Sequence, residues 1–328
     1  MRILLFILFF TVIQQTAWTQ KISYTIPGGY ERDIRKEDYR RLVDISIPII
    51  SKRFQITRIE NGAVQLTEGA EMHTLNLHNL ILKCVAEKNK SKWNEVIEAH
   101  FNNLFASLDE QKKIVPENYE AIKKYLSLRI YPAEMVAARG GTEALVVKTD
   151  LEGTYTLLML DLPGAFTAVQ KSMFALWNQD TAAVFKVAQA NVNSQQIEKV
   201  TQLFEIDGSN IEISFIGNED YAASYALDLL HHSPELVGEW GSVLAMPNKG
   251  LVSLCKVSKE KPLDFVKYIQ RTMPRTIKSF QEHPQPVSDQ YFWYYKGKFT
   301  RIAVIAEANG NINVISPFGL TELMTTSK

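Results

Sequence analysis

The sequence predicts an α+β fold of mixed helices and antiparallel hairpins, arranged as two packed α+β units. Three observations carry this expectation. Strand-like runs come in adjacent pairs around short turns, with Asn61-Gly62 and Lys296-Gly297 at two of them. Other stretches place apolar residues at helical spacing, as in Trp93, Ile97, Phe101, Leu104, Phe105 and Leu108. The two periods mix along the chain without a repeat of fixed length, which points away from a regular βαβ alternation. With 328 residues, 46% hydrophobic and 22% charged, the composition is globular, and the length suits one large or two modest domains.

In chain order, residues 20–30 read as an extended lead-in containing Pro27-Gly28-Gly29. A first helix follows Glu31, with Ile34, Leu42 and Ile45 as candidate core contacts and Pro48 expected to end or bend it. Phe54 to Thr57 and Val64 to Thr67 form a hairpin about Asn61-Gly62, whose residues tolerate positive φ. Leu75 to Glu87 reads as a helix and a second begins at Ser91, completing an N-terminal unit over 31–113. The polar stretch Asp109 to Lys113, with Pro116 close behind, marks its end.

Residues 114–328 form the C-terminal α+β domain. Leu126 to Tyr131, Ala144 to Lys148 and Thr154 to Leu160 read as strands. Asp180 is placed to cap a helix whose apolar face holds Val184, Val187, Ala188 and Val192. Ile211 to Ile216 alternates as a strand, and Asn218-Glu219-Asp220 precedes a helix reaching Leu230. Two strands flank Asn248-Lys249-Gly250, Pro262 suits the first turn of a helix with Phe265, Tyr268 and Ile269, and Tyr291 to Ile305 forms a last hairpin.

The first residues read as an export signal. Met1-Arg2 is a short basic start, and Ile3 to Ile13 is an uncharged apolar run well short of the roughly 20 residues a membrane span needs. Gln14 to Gln20 is polar, with Ala17 and Thr19 at the small positions before a cut that leaves Gln20 first. Residues 1–19 are therefore expected to be removed, the alternative being an uncleaved membrane anchor with Trp18 at the interface, and the protein to work in the periplasm or outside the cell. No cysteine follows the apolar run, so lipid tethering is not expected. No second apolar stretch approaches spanning length, so the processed chain is expected to be soluble, with no stable membrane span.

Removing Arg2 lowers Lys+Arg from 36 to 35 against 36 acids, a formal charge of −1. That balance argues against broad nucleic-acid binding, which draws on a basic excess. Cys84 and Cys255 permit one disulfide in an oxidising compartment, but each lies in an apolar run that suits a buried free thiol.

No phosphate loop, dinucleotide fingerprint, nucleophile elbow or zinc helix is present, and no cofactor is expected. His231-His232 with Glu235 is the nearest approach to a metal set, but adjacent helical side chains diverge and Pro234 interrupts the helix. Asp161, Glu219 and Asp220 are candidate acids at element ends. The run Tyr291-Phe292-Trp293-Tyr294-Tyr295 puts rings on both faces of a strand. One face enters the core; the other is either covered by another element or offers rings and hydroxyls to a partner. The candidate binding residues are Tyr291, Trp293 and Tyr295.

Several segments of the C-terminal domain carry a resemblance. They are Arg129-Ile130-Tyr131-Pro132, Leu158 to Asp161 with Leu162-Pro163, Ala188 to Asn191, Asn218 to Ser224 and Val243 to Pro247. In order and spacing they resemble the YtpQ-like family of bacterial proteins of unknown function (domain of unknown function 1444). The resemblance implies an α+β fold and little about activity. Where the family tends to have Asp-Ala-Ser entering a helix, this chain has Ala222-Ala223-Ser224, which leaves the capping role to Asp220. The family members compared look mostly cytoplasmic, so the export signal sets this chain apart. The functional expectation is an exported, non-enzymatic binding or interaction protein for a protein, peptide or glycan. The alternative is an envelope hydrolase in which His231 or His232 meets Asp161, Glu219 or Asp220.

Overall fold

In the computed structural model the structure describes residues 21–68, 71–163, 165–206, 208–307 and 312–326. The expected export signal, residues 1–19, lies outside the described residues. The fold is α+β, with helices and antiparallel sheets mixed. The chain divides into two compact units, Met1–Ser107 and Leu108–Lys328, a few residues before the expected boundary.

The first unit holds a four-stranded sheet, β1 (Lys21–Ile22), β2 (Gln55–Glu60), β3 (Ala63–Glu68) and β4 (Glu71–Asn76), in that spatial order. Asn61 (φ 48°) and Gly62 (φ 73°) turn β2 into β3 as the dipeptide requires. A Cβ at Gly62 would also overlap the Pro27 ring and crowd His78, so glycine suits this turn. β4 was not expected; its segment joins the start of what reads as a helix. Helix α1 (Lys36–Ile50) buries Tyr39, Leu42, Val43 and Ile50. Pro48 lies inside it rather than ending it. Proline in a last turn removes one amide donor and leaves the rest of the ladder intact. Helix α2 (His78–Ala86) buries Leu80, Ile81 and Cys84, and α3 (Trp93–Gln111) contributes Trp93, Ile97 and Phe101 to buried positions.

In the second unit, β5 (Leu126–Pro132) and β7 (Thr154–Leu162) pair antiparallel from Leu126↔Leu160 to Pro132↔Thr154. The short β6 (Val147–Lys148) and β8 (Ala165–Ala168) also pair with β7. Helix α4 (Lys171–Trp177) follows, then α5 (Thr181–Asn193), capped as expected: Asp180 Oδ1 accepts from the Ala183 amide at 2.8 Å. Val184, Ala188 and Val192 repeat every fourth residue and are fully buried.

The larger sheet has seven strands, all antiparallel to their neighbours, in the order β15-β14-β13-β11-β12-β10-β9. These are β9 (Glu198–Ile206), β10 (Ser209–Gly217), β11 (Ser242–Asn248), β12 (Leu251–Lys256), β13 (Tyr291–Tyr295), β14 (Lys298–Ala306) and β15 (Ile312–Ile315). Period-2 alternation splits its side chains between two cores. Leu244, Met246, Val252, Leu254, Phe292 and Tyr294 join the core that also takes in Leu128, Leu158 and the buried face of α5. Val243, Ala245, Tyr291 and Trp293 join the core under α6 (Asp264–Glu282), with Phe265, Tyr268 and Ile269. A last helix, α7 (Phe318–Thr326), buries Leu320 in the same core. No helix among the described residues is long and apolar enough to cross a membrane.

Candidate functional site

The aromatic strand is interior structure, which corrects its reading as a binding surface. Tyr291 is 1% and Trp293 6% exposed, while Phe292 and Tyr294 on the opposite face are also buried. Both faces of β13 are covered because the sheet is sandwiched between two cores. Each polar tip has an internal partner: the Trp293 indole donates to Trp240 O at 2.7 Å, and the Tyr291 hydroxyl meets Thr272 Oγ1 at 2.7 Å. Tyr295 is half-buried, its ring stacked on Trp293 with centroids 5.0 Å apart. A Cβ at Gly241 (φ 83°) would run into the Tyr294 carbonyl oxygen, so glycine lets the neighbouring strand close on this aromatic layer.

The histidines find a carboxylate, but not an expected one. The helix expected to reach Leu230 runs in short pieces, Ala222–Tyr225, Ala226–Asp228 and Leu229–His232. His231 Nδ1 lies 2.5 Å from Asp228 Oδ1, and His232 Nε2 lies 3.7 Å from Oδ2. Asn193 Nδ2 donates to Asp228 Oδ2 at 2.9 Å, and Gln189 Nε2 donates to Asn193 Oδ1 at 2.9 Å. A chain of amides from α5 thus orients the carboxylate that orients the imidazole. Asp228 precedes His231 by three residues, a helical spacing that the sequence displays. Asn193 and Gln189 lie over thirty residues away and carry no such signal. Glu235, the third member of the metal set, pairs instead with Lys199 at 3.1 Å. Among the described residues, no group of three His, Cys, Asp or Glu side chains is placed to hold a metal ion.

This chain of groups lines an open groove of about 1030 Å³ between α5 and the Leu229–His232 turn. Lys148 and Lys186 bring positive charge to it, Asp180 and Asp228 negative. Ala182, Ala190 and Leu227 supply apolar surface, and its one phenyl ring, Phe185, is buried.

Two of the candidate acids converge elsewhere, around Arg129 on β5. Arg129 is 3% exposed; it donates through Nη2 to Asp220 Oδ1 at 3.0 Å and through Nη1 to Gln285, and its guanidinium lies 4.0 Å from the Phe166 ring centroid. Lys249, from the β11–β12 turn, donates to the same Asp220 oxygen. Asp220 therefore serves two cations and does not cap the following helix. Asn218 takes that turn instead, its Oδ1 accepting from the amides of Asp220 and Tyr221 at 2.9 Å. The Tyr221 hydroxyl donates to Asp161 at the end of β7. Glu219 is exposed between them.

Burial and environment push the two carboxyls apart. Burial works to raise Asp220, but the hydrogen bond and charge of Lys249, together with Arg129, outweigh it and hold the group below its ordinary 3.8. Burial raises Asp161, the charge of Asp220 adds to the rise, and the bond from Tyr221 only partly offsets it. Opposed shifts are the pattern of an acid–base pair. Here Asp220 is committed to two cations and Asp161 to a phenol, so the cluster acts as a clamp joining β5, β7 and two turns. Burial likewise pushes both free cysteine thiols, Cys84 and Cys255, up to about 12, which removes them as thiolate nucleophiles.

The opposed shifts give opposite pH responses. Asp161 favours the fold at pH below 3.8 and loses that contribution as pH rises through its raised folded value. Asp220 contributes above 3.8, and the contribution is lost as pH falls through its lowered folded value. Relative to the wild type, Asp161→Asn is expected to gain stability as pH rises from about 3 to about 7, and Asp220→Asn to lose it. Urea unfolding at the two pH values measures both; responses of the same sign would contradict the clamp's electrostatics.

No protein-family model, curated protein or solved structure matches the chain.

Proposed function

We propose that the chain is an exported, non-enzymatic binding protein that holds an extended peptide segment in the groove along α5. The observation that carries this reading is the groove's lining: charges of both signs and side-chain amides set around apolar surface, with no exposed phenyl or indole ring among the described residues. A peptide needs donors and acceptors along its whole length and carries charges of either sign. A glycan site relies instead on flat rings for the sugar faces to stack on, and the aromatic strand that would supply them is interior. The clamp around Arg129 holds together the strands and turns of the same unit. Its Arg129, Asp161, Asp220 and Tyr221 all come from segments on which the YtpQ-like resemblance rests.

The test is capture on an array of short peptides, with a glycan array beside it. Ala182 and Ala190 are exposed and small, so Ala182→Trp and Ala190→Trp fill the groove without entering the core. Wild-type protein is expected to retain a subset of peptides, and each filled variant to lose them by about tenfold or more at unchanged stability. Equal capture by the filled variants, or capture of glycans alone, would overturn the proposal.

A second reading keeps chemistry in the same groove. Asp228 holds Nδ1 of His231, leaving Nε2 for a proton, the arrangement of an oriented general base. His231 is exposed to water on a helical turn, and binding remains the preferred reading. Ester or peptide hydrolysis that His231→Gln abolishes would replace it with the hydrolase.

A further inference from the structure

We infer that the protein forms a symmetric homodimer in which β9 of one copy pairs antiparallel with β9 of the other. β9 is the terminal strand of the seven-stranded sheet and, among the described residues, pairs only with β10, without a bulge from Ser209↔Ile206 to Gly217↔Glu198. Its other side is a row of backbone donors and acceptors. Natural edge strands are usually shortened, bulged, charged, capped with proline or covered, and the charges of β9 are ones that its own copy complements. β9 has nine residues, no Pro or Gly and no register shift. Leu203 on it is 69% exposed, and Val200 is exposed as well.

The sequence of β9, Glu-Lys-Val-Thr-Gln-Leu-Phe-Glu-Ile, complements itself when two copies run antiparallel about Gln202. A two-fold axis through that point keeps each residue opposite one of its own face, as sheet pairing requires. Lys199 then faces Glu205 of the second copy, twice by symmetry. On the other face Val200 meets Phe204, and Gln202 meets itself. Moving the centre by one residue, to Thr201 or Leu203, loses both Lys–Glu pairs. Opposite charges directly across an antiparallel pair are favourable, and like charges are not.

Within its own chain, Lys199 already donates to Ser233 at 2.9 Å and to Glu235 at 3.1 Å. The Tyr225 hydroxyl also lies beside this ammonium, so Glu205 of the second copy shares the charge of Lys199 with these partners. Val200 and Phe204 lie on the face that continues the core under α6, since Phe204 and Ile206 pack against it. Pairing therefore extends both the backbone ladder and an apolar surface across the axis.

Sedimentation velocity with charge-swapped variants tests both the dimer and its register. Wild-type protein is expected to sediment as a dimer. Lys199→Glu alone and Glu205→Lys alone each place like charges opposite one another twice, and each is expected to weaken association by about tenfold or more. An equimolar mixture of the two restores a Lys–Glu pair at both positions, so heterodimers are expected to return. So is dimerisation of the Lys199→Glu/Glu205→Lys double variant. Both substitutions lie on an exposed strand, and circular dichroism checks that each variant folds. A monomeric wild type, single variants that dimerise as the wild type does, or folded single variants whose mixture stays monomeric would each overturn the inference.

Discussion

Arg129→Met is expected to destabilise the Leu108–Lys328 unit by about 3–5 kcal/mol, the cost of breaking a buried charge pair from one side. The guanidinium is buried against Phe166 and ties Gln285 and Asp220 to β5. Methionine fills much of the volume but donates nothing, leaving Asp220 to Lys249 alone and the Gln285 side-chain oxygen without its Arg129 donor. Lysine is no remedy, because an ammonium cannot reach two acceptors in a planar fork while lying flat on a ring. Urea unfolding at neutral pH reads the loss directly. A cost below about 1 kcal/mol would mean that the network is a surface decoration, in the range of exposed ion pairs.

Trp293→Ala carries the second large expectation, a loss of about 3–5 kcal/mol. The substitution opens a cavity beneath α6 and strips the partner from the Trp240 carbonyl. This outcome separates two readings of the same strand. A ring that serves a ligand can be removed with little effect on stability and a loss of binding. A core ring costs stability, and peptide capture by the molecules that remain folded is unchanged. Differential scanning calorimetry beside the capture assay distinguishes them, and unchanged unfolding with lost capture would return β13 to the surface.

What the sequence displayed and what it concealed follow the range of the interactions. Local chemistry was legible: Asn61-Gly62 and Lys296-Gly297 turn hairpins, Asp180 caps α5, and the apolar face of α5 sits where its spacing puts it. β9 was not legible, because its apolar residues 200, 203, 204 and 206 do not alternate and most of its side chains are exposed. The aromatic run displayed a strand but not its depth. Alternation shows that side chains point two ways, and only the assembled sheet shows that both ways lead inward.

The candidate acids illustrate the same limit. Asp161 and Asp220 each looked like a solvated element end, and nothing in their spacing brings them together. They approach because Asp161 pairs with Phe166 of β8, whose ring lies against the Arg129 guanidinium. The turn after β10 presents Asp220 and Tyr221 to the same place. The expected export signal stands apart from all of this. Its reading rests on residue order alone, and the export proposed from it would set the compartment in which a groove ligand is met.

Hydrogen–deuterium exchange with and without a captured peptide tests the central claim most directly, since it maps the ligand without assuming its place. Protection is expected over residues 181–194 and 227–232, the two walls of the groove, with β13 equally slow in both states because it is core already. Protection gathered instead at residues 291–301, with α5 unchanged, would contradict the account.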